Sequence, residues 1–119
     1  MNRLLTFHYP DPIGSTVRMH PSTYYVEGDF DKVAVRIYAE NAPLREAKVD
    51  IYDDGVSIFN THKGGTYVTL AAEQNSEEAA ESFNDNLLEK GSWVYCNLVD
   101  TGGGSNFTVQ LELSPVSED

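Results

Sequence analysis

The sequence predicts an all-β fold, an antiparallel β-sandwich of jelly-roll or Ig-like type with about seven to nine short strands. Three observations predict it. Apolar and polar residues alternate with period two in separate segments, an Asp-Gly pair sits between two such segments, and chain breakers recur at short intervals.

The alternation is plainest in two places. Val33, Val35, Ile37 and Ala39 point one way while Ala34, Arg36 and Tyr38 point the other. Phe107, Val109, Leu111 and Leu113 alternate with Thr108, Gln110 and Glu112. Each pattern describes a strand with one buried and one solvated face, as antiparallel sheets provide. Ser92 to Val99 splits in the same way, Trp93, Tyr95 and Asn97 against Val94, Cys96 and Leu98. Between these segments Ala47, Val49 and Ile51 alternate with Lys48, Asp50 and Tyr52, and Asp53-Asp54-Gly55 leads into Val56-Ser57-Ile58-Phe59. Asp-Gly supplies the positive φ angles of a tight hairpin turn. Shorter strands are expected at Leu4 to His8, Thr16 to Met19, Tyr24 to Val26 and Tyr67 to Leu70. Gly28-Asp29, Asn41-Ala42-Pro43, Gly64-Gly65, Lys90-Gly91 and Gly102-Gly103-Gly104 separate the strands, the last as a flexible hairpin loop. Residues 71–86, acidic and alanine-rich, are expected to leave the sheet as one or two helical turns from Ser76 or as a loop.

The 119 residues suit one β-sandwich domain over residues 1–113, with a polar tail at 114–119. Nineteen acidic residues against eight basic ones give a net charge of -11, and the basic residues are scattered singly. Nucleic-acid affinity comes mainly from counterion release by clustered Lys and Arg, so no nucleic-acid partner is expected. No run approaches a membrane span, and the two aliphatics after Arg3 are too few for a signal peptide, so no membrane partner is expected either. A single cysteine, Cys96, excludes an intramolecular disulfide and a four-cysteine zinc site.

Chemistry has few footholds. Cys96 shares a strand face with Val94 and Leu98, which predicts a buried thiol. His8, His20 and His62 match no zinc spacing, and Glu27, Asp29 and Asp31 lack the EF-hand pattern. Gly102-Gly-Gly-Ser105 is neither a Walker loop nor a dinucleotide fingerprint. No catalytic residue, cofactor or metal site is therefore expected, and the chain is read as a non-enzyme. Among the aromatics, Trp93 is expected in the core. Tyr38 and Tyr52, which share faces with Arg36, Lys48 and Asp50, are expected at the surface, making Arg36, Tyr38, Lys48 and Tyr52 the candidate interface.

The run Val33-Ala-Val-Arg-Ile-Tyr-Ala-Glu-Asn-Ala42-Pro43, then Val49-Asp50-Ile51, then Asp54-Gly55-Val-Ser57-Ile58-Phe59, resembles small β-sandwich modules of tailed-bacteriophage structural proteins. Leu88-Glu-Lys-Gly91 and Thr108-Val109-Gln-Leu111 are similar to a later step and closing strand of those modules. The likeness covers about residues 31 to 113. It departs from the family where Leu44-Arg45-Glu46 replaces a glycine after Ala-Pro, and residues 1–30 have no counterpart. The resemblance implies a virion protein, with no catalytic residues to carry over. Its most concrete form is a capsid decoration (cement) protein on the major capsid protein lattice. A neck or tail accessory, or a fibre-associated protein, is the nearest variant. Viral structural proteins would be the partners, in a symmetric homo-oligomer, and the virion its location. Two other classes stay open: a carbohydrate-binding β-sandwich module using exposed aromatics, and a hydrolase-like enzyme with a site assembled in space.

Overall fold

Eleven strands form among the described residues, and all their pairings are antiparallel. The structure is a computed structural model that describes residues 2–11, 16–59, 68–79, 83 and 87–116. His62, Gly64-Gly65 and Tyr67, residues 80–82 and 84–86 of the acidic stretch, and the last three residues lie outside that set. The strands are β1 (Arg3–Tyr9), β2 (Val17–Arg18), β3 (Tyr24–Tyr25), β4 (Phe30–Asn41), β5 (Ala47–Asp53), β6 (Val56–Ser57), β7 (Val68–Leu70), β8 (Ser76–Ala79), β9 (Leu87–Leu88), β10 (Trp93–Asp100) and β11 (Ser105–Pro115).

They make two sheets. The first has the order β1-β11-β4-β8, with β9 also on β4; the second has the order β2-β10-β5-β6, with β3 on β10 and β7 on β5. The alternation decides which face turns inward. Leu5 and Phe7 of β1, Val35, Ile37 and Ala39 of β4, and Phe107, Val109, Leu111 and Leu113 of β11 are buried from the first sheet. Ala47, Val49 and Ile51 of β5, Val68 and Leu70 of β7, and Val94, Cys96 and Leu98 of β10 meet them from the second. One apolar cluster joins the two sheets, so the molecule is a β-sandwich.

Two local features set the geometry. At the β5–β6 hairpin, Asp54 has φ 50° and Gly55 φ 90°, the paired positive angles of the tight turn that Asp-Gly predicts. On β4 a register shift opposite Glu112 and Leu113 leaves Val33 half-buried and turns Lys32 inward instead. The Lys32 ammonium donates to the Leu87 carbonyl at 2.8 Å.

The edge of β1 is finished without another strand. Its backbone exchanges both hydrogen bonds with His20 through His8, at 2.7 and 2.9 Å. Two residues earlier, the Tyr24 hydroxyl donates to the Thr6 carbonyl at 2.8 Å and accepts from the Thr6 amide at 3.3 Å.

Two expectations are corrected here. Ser76–Ala79 pairs with β4 as a strand rather than starting a helix, because the outer edge of β4 offers hydrogen bonds that an isolated helical turn lacks. The triple-glycine loop is packed, not loose. Gly102 and Gly104 are buried, and the Gly102 carbonyl accepts from the amides of Leu44 and Arg45 at 2.9 and 3.0 Å. A Cβ on Gly102 would lie 2.1 Å from the Arg45 carbonyl oxygen, so glycine is there for close approach. At the other end β11 runs to Pro115, two residues past the expected end of the domain at residue 113.

Candidate functional site

The outer face of the second sheet carries most of the aromatic surface. Val94, Cys96 and Leu98 point into the core, so Trp93, Tyr95 and Asn97 of β10 must point out. Neighbouring strands bring a partner to each. Trp93 stands opposite Tyr25, Tyr95 opposite Tyr52, and Asn97 between Asp50 and Arg18.

Trp93 and Tyr25 form the open end of this face. Their ring centroids are 4.8 Å apart with a 58° tilt, and they are 51% and 46% exposed. The expectation that Trp93 fills the core is therefore corrected: its phase along β10 is that of Tyr95 and Asn97, outside. The hairpin turn holds Trp93 in place. The Asp54 carboxylate accepts from the Trp93 amide and the Asp54 amide donates to the Trp93 carbonyl, both at 2.9 Å.

The middle of the face is a three-layer stack. Tyr52 lies against Tyr95 at 4.9 Å and 20°, and the Arg18 guanidinium carbon sits 3.8 Å from the Tyr95 ring centroid on β2's side. Such ring and cation contacts are worth about 0.5 to 1.5 kcal/mol each. Arg18 is oriented by two further bonds, from Nε to the Asn97 side-chain oxygen and from Nη1 to the Ser22 carbonyl, each 3.1 Å. Below the stack Asp50 is only 3% exposed. It accepts from the Ser57 hydroxyl at 2.7 Å and from the Tyr52 hydroxyl, which is also bonded to Asn97. Burial pushes the Asp50 carboxyl above its ordinary range, and these hydrogen bonds oppose the rise without cancelling it. Tyr52 is raised as well, first by burial and then by its bond to Asp50.

The outer face of the first sheet is different. Arg36 of β4 bridges two carboxylates, Nε to Glu78 at 2.7 Å and Nη2 to Glu112 at 2.6 Å. Hydrogen bonds from Asn2 and Arg36 hold the Glu112 carboxyl below its ordinary range. Tyr38 is 50% exposed beside this pair.

The four candidate interface residues do not form one surface. Arg36 and Tyr38 lie on the first sheet, whereas Lys48 and Tyr52 lie on β5 in the second, facing the other way. Of the four, Arg36, Lys48 and Tyr52 are half-buried and Tyr38 is exposed. Alternation assigns a side chain to the outside of its own sheet but cannot say which sheet that is. Arg18 and Tyr25 belong to two-residue strands and carry no periodic signal; only their pairing with β10 reveals them.

Among the described residues no group of three or more His, Cys, Asp or Glu side chains converges as metal ligands would. Cys96 is fully buried with its thiol 3.4 Å from the Met19 sulfur, and burial pushes that thiol well above its ordinary range.

No protein-family model matches the chain, and no curated protein matches its sequence. Solved structures share the fold. The chain is similar to the CBM36-1 domain of a multidomain xylanase from the hindgut metagenome of Trinervitermes trinervoides. That match has a TM-score of 0.57 and 14% identity, over 98% of this chain and 100% of that one. It is also similar to a family 35 carbohydrate binding module from Clostridium thermocellum, with a TM-score of 0.50 and 12% identity over 97% and 92% of the two chains. A third similar structure is the Drosophila NLP-core, with a TM-score of 0.50 and 14% identity over all of both chains. At such identities the likeness shows a shared β-sandwich fold.

Proposed function

We propose that the chain is a carbohydrate-binding β-sandwich module that docks sugar on the outer face of its second sheet. The observation that carries this reading is the Trp93–Tyr25 pair, two half-exposed rings in contact on a rigid sheet face. Sugar rings present apolar C–H faces that stack on aromatic side chains, and their hydroxyls need donors and acceptors nearby. Trp93 and Tyr25 supply the stacking surface. Arg18 and Asn97 supply polar groups, held in place by the Tyr52–Tyr95–Arg18 stack. Both faces of the Tyr95 ring are already covered, by Tyr52 and by Arg18, so its role is to brace rather than to stack on ligand. That two of the similar folds are carbohydrate-binding modules supports the reading.

Affinity electrophoresis through gels containing soluble xylan, mannan or β-glucan tests it, together with a glycan array. Retardation on at least one polysaccharide is expected, and free migration through all of them with a silent array would sink the reading. The virion reading rests on the order of strand motifs between residues 31 and 113, not on any feature of this face. Its own test is co-sedimentation with purified phage particles.

A further inference from the structure

We propose that the outer face of the first sheet holds a second sugar-binding site, centred on Tyr38, so that one chain bridges two polysaccharide strands. This extends the carbohydrate-binding reading of the second sheet and rests on it.

Tyr38 sits near the middle of the first sheet's outer face, with Thr108 of β11 opposite it on one side and Ser76 of β8 on the other. It is 50% exposed on a sheet face whose other outward residues are mostly polar. Next to it is a depression of about 480 Å³ lined by Arg36, Tyr38, Ser76, Glu78 and Gln110 among others. That volume is within the range of small-ligand sites. The lining offers one aromatic ring together with an amide, a hydroxyl, carboxylates and a guanidinium. Such a mixture of donors and acceptors around a single apolar plate matches a ring whose hydroxyls both donate and accept.

Charge narrows the ligand to a neutral sugar. The Arg36 guanidinium is held by Glu78 and Glu112 at 2.7 and 2.6 Å, so its positive charge is already balanced. With Glu77 also at the rim, the depression disfavours carboxylated or sulfated sugars. Tyr38 and Trp93 lie on opposite outer faces of the sandwich, whose sheets are about 10 Å apart before side chains are counted. One straight polysaccharide strand cannot lie on both faces, so joint occupancy means cross-linking.

The test uses the parent chain, Trp93→Ala, Tyr38→Ala and the double variant, in gels containing soluble neutral xylan or mannan. Turbidity of the same polysaccharides mixed with protein is read alongside. Both residues are half-exposed, and matching melting curves confirm that the variants fold. Each single variant should keep partial retardation with an apparent affinity about tenfold or more weaker, since avidity is lost. Neither should cloud the polysaccharide as the parent does, and the double variant should migrate freely. Tyr38→Ala behaving as the parent while Trp93→Ala alone abolishes retardation overturns the second site and leaves the first standing. Loss of all retardation in Tyr38→Ala alone also overturns bridging, and moves the single site to the first sheet. A parent chain that no polysaccharide retards removes both readings.

Discussion

Trp93→Ala tests the second sheet's outer face, and its effect can be worked from exposure. A tryptophan side chain presents roughly 200 to 250 Å², and Trp93 leaves 51% of its surface open. About 100 Å² is therefore available, of which a sugar laid on the ring would cover between half and all. At about 25 cal/mol per Å² this is roughly 1.3 to 2.5 kcal/mol, or an eightfold to seventyfold weaker Kd for the variant. Isothermal titration with a soluble xylan or mannan oligosaccharide that the parent binds would measure it. Tyr25→Ala should weaken binding in the same direction by less, because its ring is smaller and less exposed. The fold should tolerate Trp93→Ala, with a stability loss near 1 kcal/mol from the lost contact with Tyr25. A Kd within twofold of the parent for both variants would refute the placement of sugar on this pair. A loss of stability above about 3 kcal/mol would show instead that Trp93 is structural.

Three further outcomes concern the scaffold. Tyr24→Phe removes the hydroxyl that serves both backbone groups of Thr6, and should cost about 1 to 2 kcal/mol in denaturant unfolding, with faster hydrogen exchange at the Thr6 amide. Gly102→Ala places a methyl group against the Arg45 carbonyl at a residue with φ 63°, and should cost more than about 2 kcal/mol by the same assay. Asp50→Asn tests the buried carboxyl through pH. The folded state raises the Asp50 carboxyl above its unfolded value, so its stabilising contribution is present under acid conditions and is lost as pH rises through the raised value. The stability of Asp50→Asn relative to the parent should therefore improve from acid to neutral pH; a flat difference across that range would contradict it.

Much of this fold can be read in advance, and the reason is visible in β4, β5, β10 and β11. Each keeps one face in the core over at least five residues, so the period of two survives in the sequence. The β5–β6 turn is legible because Asp54-Gly55 meets a local backbone demand. Ser76–Ala79 is not legible, because its strand state comes from pairing with β4 and its glutamates suit an exposed edge rather than a core. Trp93 shows a different failure. The alternation already puts it out of phase with Val94 and Cys96, and the size of its ring is a poor reason to override that phase. The site itself depends on strand order: Arg18, Tyr25 and Tyr52 reach Trp93 and Tyr95 from three different strands, and no local pattern joins them.

The way β1 ends the first sheet bears on how the protein behaves at high concentration. An open strand edge is a template on which another chain can build, and the usual protections are charge, proline or a bulge. Here a tyrosine hydroxyl and a histidine backbone occupy the outward groups of Thr6 and His8, leaving the stretch around Leu4 as the accessible part of that edge. A partner strand would find too few free groups there to register against. The same seal ties the first sheet to the segments flanking β2 and β3, so the loops that deliver Arg18 and Tyr25 also close this edge to an added strand.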